Sequence, residues 1–351
     1  MKVPASVLDA YGFSANNVES VSGGLINQTY RVQSADGTAI AALQRLHPIF
    51  AGEVNLDLEA ITDALARAQM PTPRLIRTTT DSPWVEHDGH VWRCLSWVEG
   101  RCFPKLPSPA FARAGAELVG RFHRALDGLE YTFQFTRSGV HDTPAHVAKL
   151  HAVGAKSFPE DTRAQRIREE IFAQAELLPP MPDVPTRICH GDLKISNLLF
   201  DADDKGLCLI DLDTLGPQTI AYELGDALRS WANLGGEDQE AAAIDIDVVK
   251  QAALGYSAGS QGLLSEVETS SVIVGLETIC LELATRFCVD VFEDTYFGWD
   301  SSRYDSRRAH NLVRAQGQLA LCRSVAARRS ELQSAWMDAQ TNSHGSSTKS
   351  F

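Results

Sequence analysis

Three short apolar, β-prone segments, Thr186–Cys189, Leu198–Phe200 and Cys208–Asp211, interrupt a region otherwise written in helical periodicity. A polar octet, His190-Gly191-Asp192-Leu193-Lys194-Ile195-Ser196-Asn197, separates the first two. The third runs into Ile210-Asp211-Leu212-Asp213. Such a pattern leaves the backbone few options. The second and third segments form a small hairpin, which returns Asp211 to the side of Asn197. Asp211 then stands where an apolar strand emerges from the core. A chain built this way must hold one polar loop at the ends of buried strands, with helices packed around it.

The rest of the chain divides around this feature. At 351 residues it exceeds the usual size of one hydrophobic core, so two lobes are expected. Residues 1–98 read as mixed α and β. Val18 to Val32 gives two strands around Gly23-Gly24, and Asp36-Gly37 turns into a strand from Thr38 to Leu46. Leu58, Ile61, Leu65 and Ala68 mark one face of a helix over Asn55 to Gln69. A hairpin turning at Asp88-Gly89 closes the lobe. Residues 99–338 read as mainly helical, with helices over Pro109–Leu126, Arg163–Leu178, Val267–Phe292 and Ser306–Arg329. Residues 339–351 are rich in Ser, Thr, Asn and Gln and are expected to be disordered.

Phosphoryl transfer from a nucleotide asks for positioning and charge neutralisation. It needs a carboxylate near the accepting hydroxyl, oxygen ligands for Mg²⁺, and a cation on the phosphates. Asp192 and Asn197 have the five-residue spacing of a kinase catalytic loop. Lys194 can reach the transferring phosphate as a point charge. An isolated Asp-x4-Asn would be an ordinary turn. The preceding His-Gly, the lysine two residues on, and the apolar strand ending in Ile-Asp-x-Asp together point to phosphoryl transfer.

These residues resemble the catalytic segment of the aminoglycoside phosphotransferase and choline kinase superfamily. That resemblance implies an α+β, protein-kinase-like two-lobed fold, with a small antiparallel-sheet N-lobe and a helical C-lobe. It makes Asp192 the catalytic base or hydroxyl-orienting group and Asn197 and Asp211 the Mg²⁺ ligands. Asp213 becomes a further ligand or substrate contact. His190 takes a structural part, and Asp226 becomes a helix-start carboxylate holding the loop backbone. Ser22 to Tyr30 resembles the family's phosphate-covering turn, which brings in Gly23, Gly24, Asn27 and Thr29 for ATP. The strand Ala41–Leu46 lacks the expected lysine, so Gln44 or Arg45 must substitute, with Glu59 as a partner for Arg45. Backbone at Ser96 to Val98 is the expected adenine contact.

Ordered motifs from Gly23 to about Val325 resemble one subgroup, the N-acetylhexosamine 1-kinases. They include Gln44-Arg45-Leu46-His47, His141-Asp142-Thr143-Pro144, Thr285-Arg286-Phe287 and Asp294-Thr295-Tyr296-Phe297. The implied acceptor is the anomeric hydroxyl of an amino sugar, contacted by Asp192, Arg286 and Tyr296. His141 and Asp142 are read as a structural or substrate-rim loop. Aminoglycosides, choline, homoserine and N-acetylmuramate compete as acceptors. A non-catalytic binding module on the same fold would have lost Asp192, Asn197 or Asp211, and all three are present.

The formal net charge of −13 argues against nucleic acid and anionic membranes as partners. Seven cysteines, none in a C-x-x-C pair, read as reduced thiols. The first residues lack an apolar signal region, and a cytoplasmic protein is expected. Oligomeric state leaves no mark in the sequence.

Overall fold

The computed structural model describes residues 2–14, 17–21, 27–136, 139, 141–154 and 162–345, the last five by backbone alone. In chain order the elements of the first lobe are α1 (Ala5–Tyr11), β1 (Val18–Val21), β2 (Gln28–Gln33), β3 (Ala39–Arg45), α2 (Val54–Arg67), β4 (Leu75–Ile76), β5 (Val85–His87) and β6 (His90–Ser96). The strands form one antiparallel sheet in the order β1-β2-β3-β6-β4, and β5 pairs with β6. Asp88 and Gly89 both have positive φ, 49° and 70°, as a two-residue hairpin turn of this hand requires.

Alternation along the strands gives this sheet two unlike faces. Tyr30, Val32, Ala41, Leu43, Trp92 and Cys94 pack outward against Val7, Leu8 and Tyr11 of α1. The opposite face carries Thr29, Gln44, Arg93 and Leu95. It looks toward α2 and the second lobe, where Leu58, Ile61 and Leu95 join the main core.

The second lobe comprises α3 (Pro109–Ala125), α4 (Thr143–Gly154), α5 (Thr162–Ala175), β7 (Thr186–Cys189), β8 (Leu198–Phe200), β9 (Gly206–Leu209), β10 (Gly216–Thr219), α6 (Ile220–Trp231), α7 (Ile246–Ser260), α8 (Glu266–Glu293), α9 (Arg307–Ala327) and α10 (Arg329–Gly345). A capping box fixes the start of α8: the Ser265 hydroxyl accepts from the Glu268 N–H, and the Glu268 carboxylate accepts from the Ser265 N–H. The architecture is the expected two-lobed one, an antiparallel sheet lobe followed by a helical lobe. No helix among the described residues is long and apolar enough to cross a membrane. All seven cysteines are free, and Cys102 alone is exposed.

The expected disordered tail begins too early. Helix α10 continues through Gly345, and Leu332, Trp336 and Ala339 are buried on one of its faces. Trp336 lies 6.2 Å from Tyr256 of α7, ring to ring. The polar composition describes the outer face of a docked helix, and its apolar stripe is sparse but long enough to bury.

Two glycines set how closely α6 approaches α8. A Cβ at Gly275 would stand 1.9 Å from the Ala221 carbonyl oxygen, and one at Gly225 would meet Gly275 backbone at 2.6 Å. Backbone cannot yield there as a flexible side chain would. Gly275→Ala is therefore expected to cost about 1–3 kcal/mol by overpacking, read as a lowered thermal midpoint. Because α6 carries the carboxylate beneath the polar loop, the same variant should lose activity out of proportion to its unfolded fraction.

Candidate active site

Two small ribbons build the site. β7 pairs with β10, Cys189 opposite Gly216, and β8 pairs with β9, Leu198 opposite Leu209. Residues 190–197 and 210–215 are thereby laid side by side. The Ile210 N–H donates to the Asn197 carbonyl at 2.9 Å, and the Thr214 hydroxyl donates to the His190 carbonyl at 2.8 Å. Gly191 has φ +80°, and a Cβ on it would lie 2.5 Å from the Thr214 carbonyl oxygen, so only glycine fits. The strand β10, absent from the sequence reading, supplies this second wall.

His190 is fully buried. Its Nε2 donates to the Ile210 carbonyl at 2.9 Å and its Nδ1 accepts the Asp192 N–H at 3.2 Å. Both ring nitrogens are committed to loop backbone.

Asp192, Lys194, Asn197 and Asp211 converge. Asp192 Oδ2 accepts from Lys194 Nζ at 2.7 Å and from Asn197 Nδ2 at 3.0 Å. Asn197 Nδ2 also donates to the Asp192 carbonyl at 2.9 Å. Lys194 Nζ stands 3.9 Å from Asp211 Oδ2. Burial opposes the Lys194 charge, but Asp192, Asp211 and Asp226 outweigh it and raise its pKa. Burial, then the neighbouring Asp213 charge, pushes the Asp211 carboxyl upward. Asp211 itself sits in the left-handed region at φ 63°, which turns its side chain out of the strand. A crowd of carboxylates whose charges oppose one another is what a divalent cation neutralises. The donors on offer, the carboxylates of Asp192 and Asp211 and the amide oxygen of Asn197, are hard oxygens that suit Mg²⁺.

Asp213 does not join them. One of its oxygens is paired with Arg93 and the other accepts from Asn27 Nδ2. Its carboxylate is buried and turned to the first lobe, away from the cluster of Asp192, Asn197 and Asp211 with which it was expected to bind metal. Asp226 is also displaced from its expected role. It pairs with Arg229 at 2.8 Å, within its own helix. The carboxylate that holds the loop is Glu223, one helical turn earlier. It accepts the His190 N–H at 2.8 Å and the Gly191 N–H at 2.9 Å, with His123 Nε2 at 3.3 Å. Burial opposes its ionisation, yet the His123 hydrogen bond and nearby imidazoles hold its pKa below the usual carboxylate range.

On the sheet, Gln44 faces inward. It donates to the Thr29 hydroxyl at 3.1 Å and accepts from Arg93 Nε at 2.8 Å. Arg45, one residue on, points to the opposite face and contacts Gln28 and His90. The parity of the strand thus takes Arg45 away from the side where Gln44 and Asp213 lie. Glu59 pairs with Arg77, Nε at 2.8 Å and Nη2 at 2.6 Å, and not with Arg45. Asn27 is buried and also accepts the His47 N–H at 2.9 Å. Gly23 and Gly24 lie outside the described residues. Ser96 spends its N–H and hydroxyl on Arg74, at 2.7 and 2.9 Å, and Val98 follows in the segment connecting the lobes. Glu223 and Arg93 are the two residues the sequence reading missed. An arginine inside the apolar run Val91-Trp92-Arg93-Cys94-Leu95 was the available signal for the latter.

A cavity of about 280 Å³ lies by the C-terminal half of α8, lined by His146, Lys149, Arg286, Glu293, Tyr296 and Phe297 among others. The Arg286 guanidinium carbon lies 5.9 Å from the Tyr296 ring centre and 5.7 Å from that of Phe297. Asp290 fastens this segment, accepting N–H bonds from Thr295, Tyr296 and Phe297 at 2.8–2.9 Å. A line of contacts joins cavity to loop. Arg286 is 4.0 Å from Glu282, Glu282 is 3.2 Å from His141, and His141 stacks on Tyr222 at 4.7 Å, next to Glu223. The expected rim residue His141 therefore sits between the cavity and the helix that carries the loop.

Residues 17–251 match the model of the phosphotransferase enzyme family. A homoserine kinase of Zymomonas mobilis is 24% identical over 234 residues, covering 65% of this chain and 69% of that one. Among solved structures, an amicoumacin kinase in complex with AMP-PNP and Ca²⁺ superposes with a TM-score of 0.61 at 12% identity, covering 92% of each chain. A microcompartment-associated aminopropanol kinase gives 0.59 at 16% identity, covering 95% of this chain and 98% of the other. The two-lobed fold is thus a kinase-like one.

Proposed function

Because this chain belongs to the phosphotransferase enzyme family, we propose that it transfers the γ-phosphoryl group of ATP to the anomeric hydroxyl of an N-acetylhexosamine, giving the sugar 1-phosphate. The convergence of Asp192, Lys194, Asn197 and Asp211 supports the phosphoryl-transfer part of this reading. The new bond joins the acceptor oxygen to phosphorus, the bond to the leaving ADP oxygen breaks, and the acceptor proton passes to Asp192. Lys194 offsets charge on the transferring group. Asn197 and Asp211 would hold Mg²⁺, which when bound neutralises the phosphates. Thr29, Gln44 and the lobe connection at Ser96 to Val98 line the nucleotide side.

The acceptor side is assigned to the cavity beside α8. Arg286 offers a planar donor fork and Tyr296 and Phe297 offer ring faces, a combination suited to a neutral polyol. Lys149 and Glu293, paired at 2.8 Å in the same cavity, favour a second reading, a zwitterionic hydroxy amino acid such as the homoserine named in the Z. mobilis relative. ADP release with Mg-ATP and a panel of N-acetylhexosamines, homoserine, choline, N-acetylmuramate and aminoglycosides separates these, and ³¹P NMR of the product identifies the hydroxyl. Stimulation by homoserine alone would replace the sugar assignment. Arg286→Ala is expected to raise the acceptor KM by about 10–100-fold, the loss of a charged hydrogen bond, with the KM for ATP unchanged.

A further inference from the structure

Arg93 is the one lysine or arginine that is buried among the described residues. It stands directly opposite Gln44 in the β3–β6 register, so both side chains leave the inner face of the sheet. Its Nε donates to Gln44 at 2.8 Å, and its Nη1 reaches Asn55 of α2 at 3.5 Å and pairs with Asp213. A buried guanidinium persists only when paired. Here the partner comes from the other lobe. Asp213 is gripped twice by the first lobe, since Asn27 donates to its second oxygen.

Asp213 lies in the 3-10 turn Leu212–Thr214, whose first flanking residue is Asp211. The far end of the turn is pinned by Thr214 to the His190 carbonyl. The near side is pinned by the Ile210 N–H to Asn197. Arg93 and Asn27 supply the remaining hold, from above. As a source of stability the pair is poor: Arg93 Nη2 is buried with no hydrogen-bond partner among the described residues, and a packed apolar pair would serve as well.

We propose that Arg93 is a positioning residue for the metal site: through Asp213 it fixes the turn that presents Asp211, and so couples metal binding to contact between the lobes. This rests on the kinase reading and deepens it. In kinases with a strand lysine, the first lobe sends its cation to the nucleotide. Here the strand position holds an uncharged Gln44, and the cation one strand away is spent on the metal-bearing turn. Asp213 acts as the receiving end of that contact rather than as a ligand.

Binding of Mn²⁺ in the presence of ADP, followed by electron paramagnetic resonance, tests this on the intact chain. Arg93→Gln and Asp213→Asn are each expected to weaken Mn²⁺ binding by about 10–100-fold, as loss of support behind a metal ligand does. The double variant should be no weaker than either single one, because both remove the same contact. Adenosine binding should be unchanged in all three, and Arg93→Lys should fall between parent and Arg93→Gln. Weakening by Asp213→Asn with no change in Arg93→Gln would overturn the inference and make Asp213 a ligand. Lower melting midpoints with unaltered Mn²⁺ binding would also overturn it, leaving a purely structural tie. Should Arg93→Gln fail to fold, Arg93→Lys and Asn27→Ala carry the same comparison. A parent protein that binds neither ADP nor Mn²⁺ would sink the kinase reading itself.

Discussion

Asp192→Asn is expected to lower turnover by about 10²- to 10⁴-fold, the range over which a positioned proton acceptor contributes. The fold should survive. Asp192 is partly exposed, and the loop around it is held by His190, Thr214 and Glu223, none of which depends on its carboxylate. Asparagine is close in shape and can still accept from Lys194 or Asn197 through its amide oxygen. What it loses is the negative charge and the ability to take a proton. The thermal midpoint and ADP binding are therefore expected to stay close to the parent's while ADP release under saturating acceptor collapses. Near-normal turnover in a folded Asp192→Asn protein would remove Asp192 from its assigned role. The neighbouring lysine provides a contrast. Lys194→Met removes a cation from between Asp192 and Asp211, which leaves their charges facing each other. It should fail through weakened phosphate binding, with the ability to accept a proton left in place.

The site was legible where its residues are close in sequence, and obscure where they are brought together by distant elements. Asp192, Lys194, Asn197 and Asp211 lie within one strand-loop-hairpin unit, so their spacing together with the flanking apolar strands predicted that they meet. Glu223 was overlooked in favour of Asp226, three residues on in the same helix. The choice between them is a matter of helical phase, and phase depends on where the helix begins. It begins at Ile220, which turns Glu223 under the loop and leaves Asp226 beside Arg229. Arg45 could have been set aside from the sequence. Ala41, Leu43 and Arg45 share one parity of the strand, and the buried apolar pair marks that face as the one under α1. The Arg93–Asp213 contact spans 120 residues and both lobes, and no local pattern encodes it. Helix α10 misled for a different reason: composition averages over faces, whereas docking depends on a single stripe.

Glu223→Ala should be the most destabilising single change around the site. The wild-type carboxylate is buried and accepts two backbone N–H groups of the loop and a bond from His123. Alanine leaves all three donors without a partner in a dry region. The penalty for stranding such groups is about 3–5 kcal/mol, or a fall of roughly 6–20 °C in thermal midpoint for a lobe of this size. Glutamine is no rescue, because its one amide oxygen can serve one N–H while its nitrogen turns a donor toward the other. The pH dependence gives a second signature. A carboxylate whose folded pKa is held below its unfolded value contributes stability that is present above the unfolded pKa and lost as pH falls through the folded one. The melting curves of parent and Glu223→Ala should therefore approach each other in acid below the ordinary carboxylate range and separate toward neutrality. Asp226→Ala serves as the comparison. Its carboxylate pairs with Arg229 and touches no loop backbone in the hydrogen-bond network, so it should shift the midpoint less and leave the loop intact. Equal losses from Glu223→Ala and Asp226→Ala, in both midpoint and turnover, would mean that the loop is carried by the helix as a whole rather than by one carboxylate.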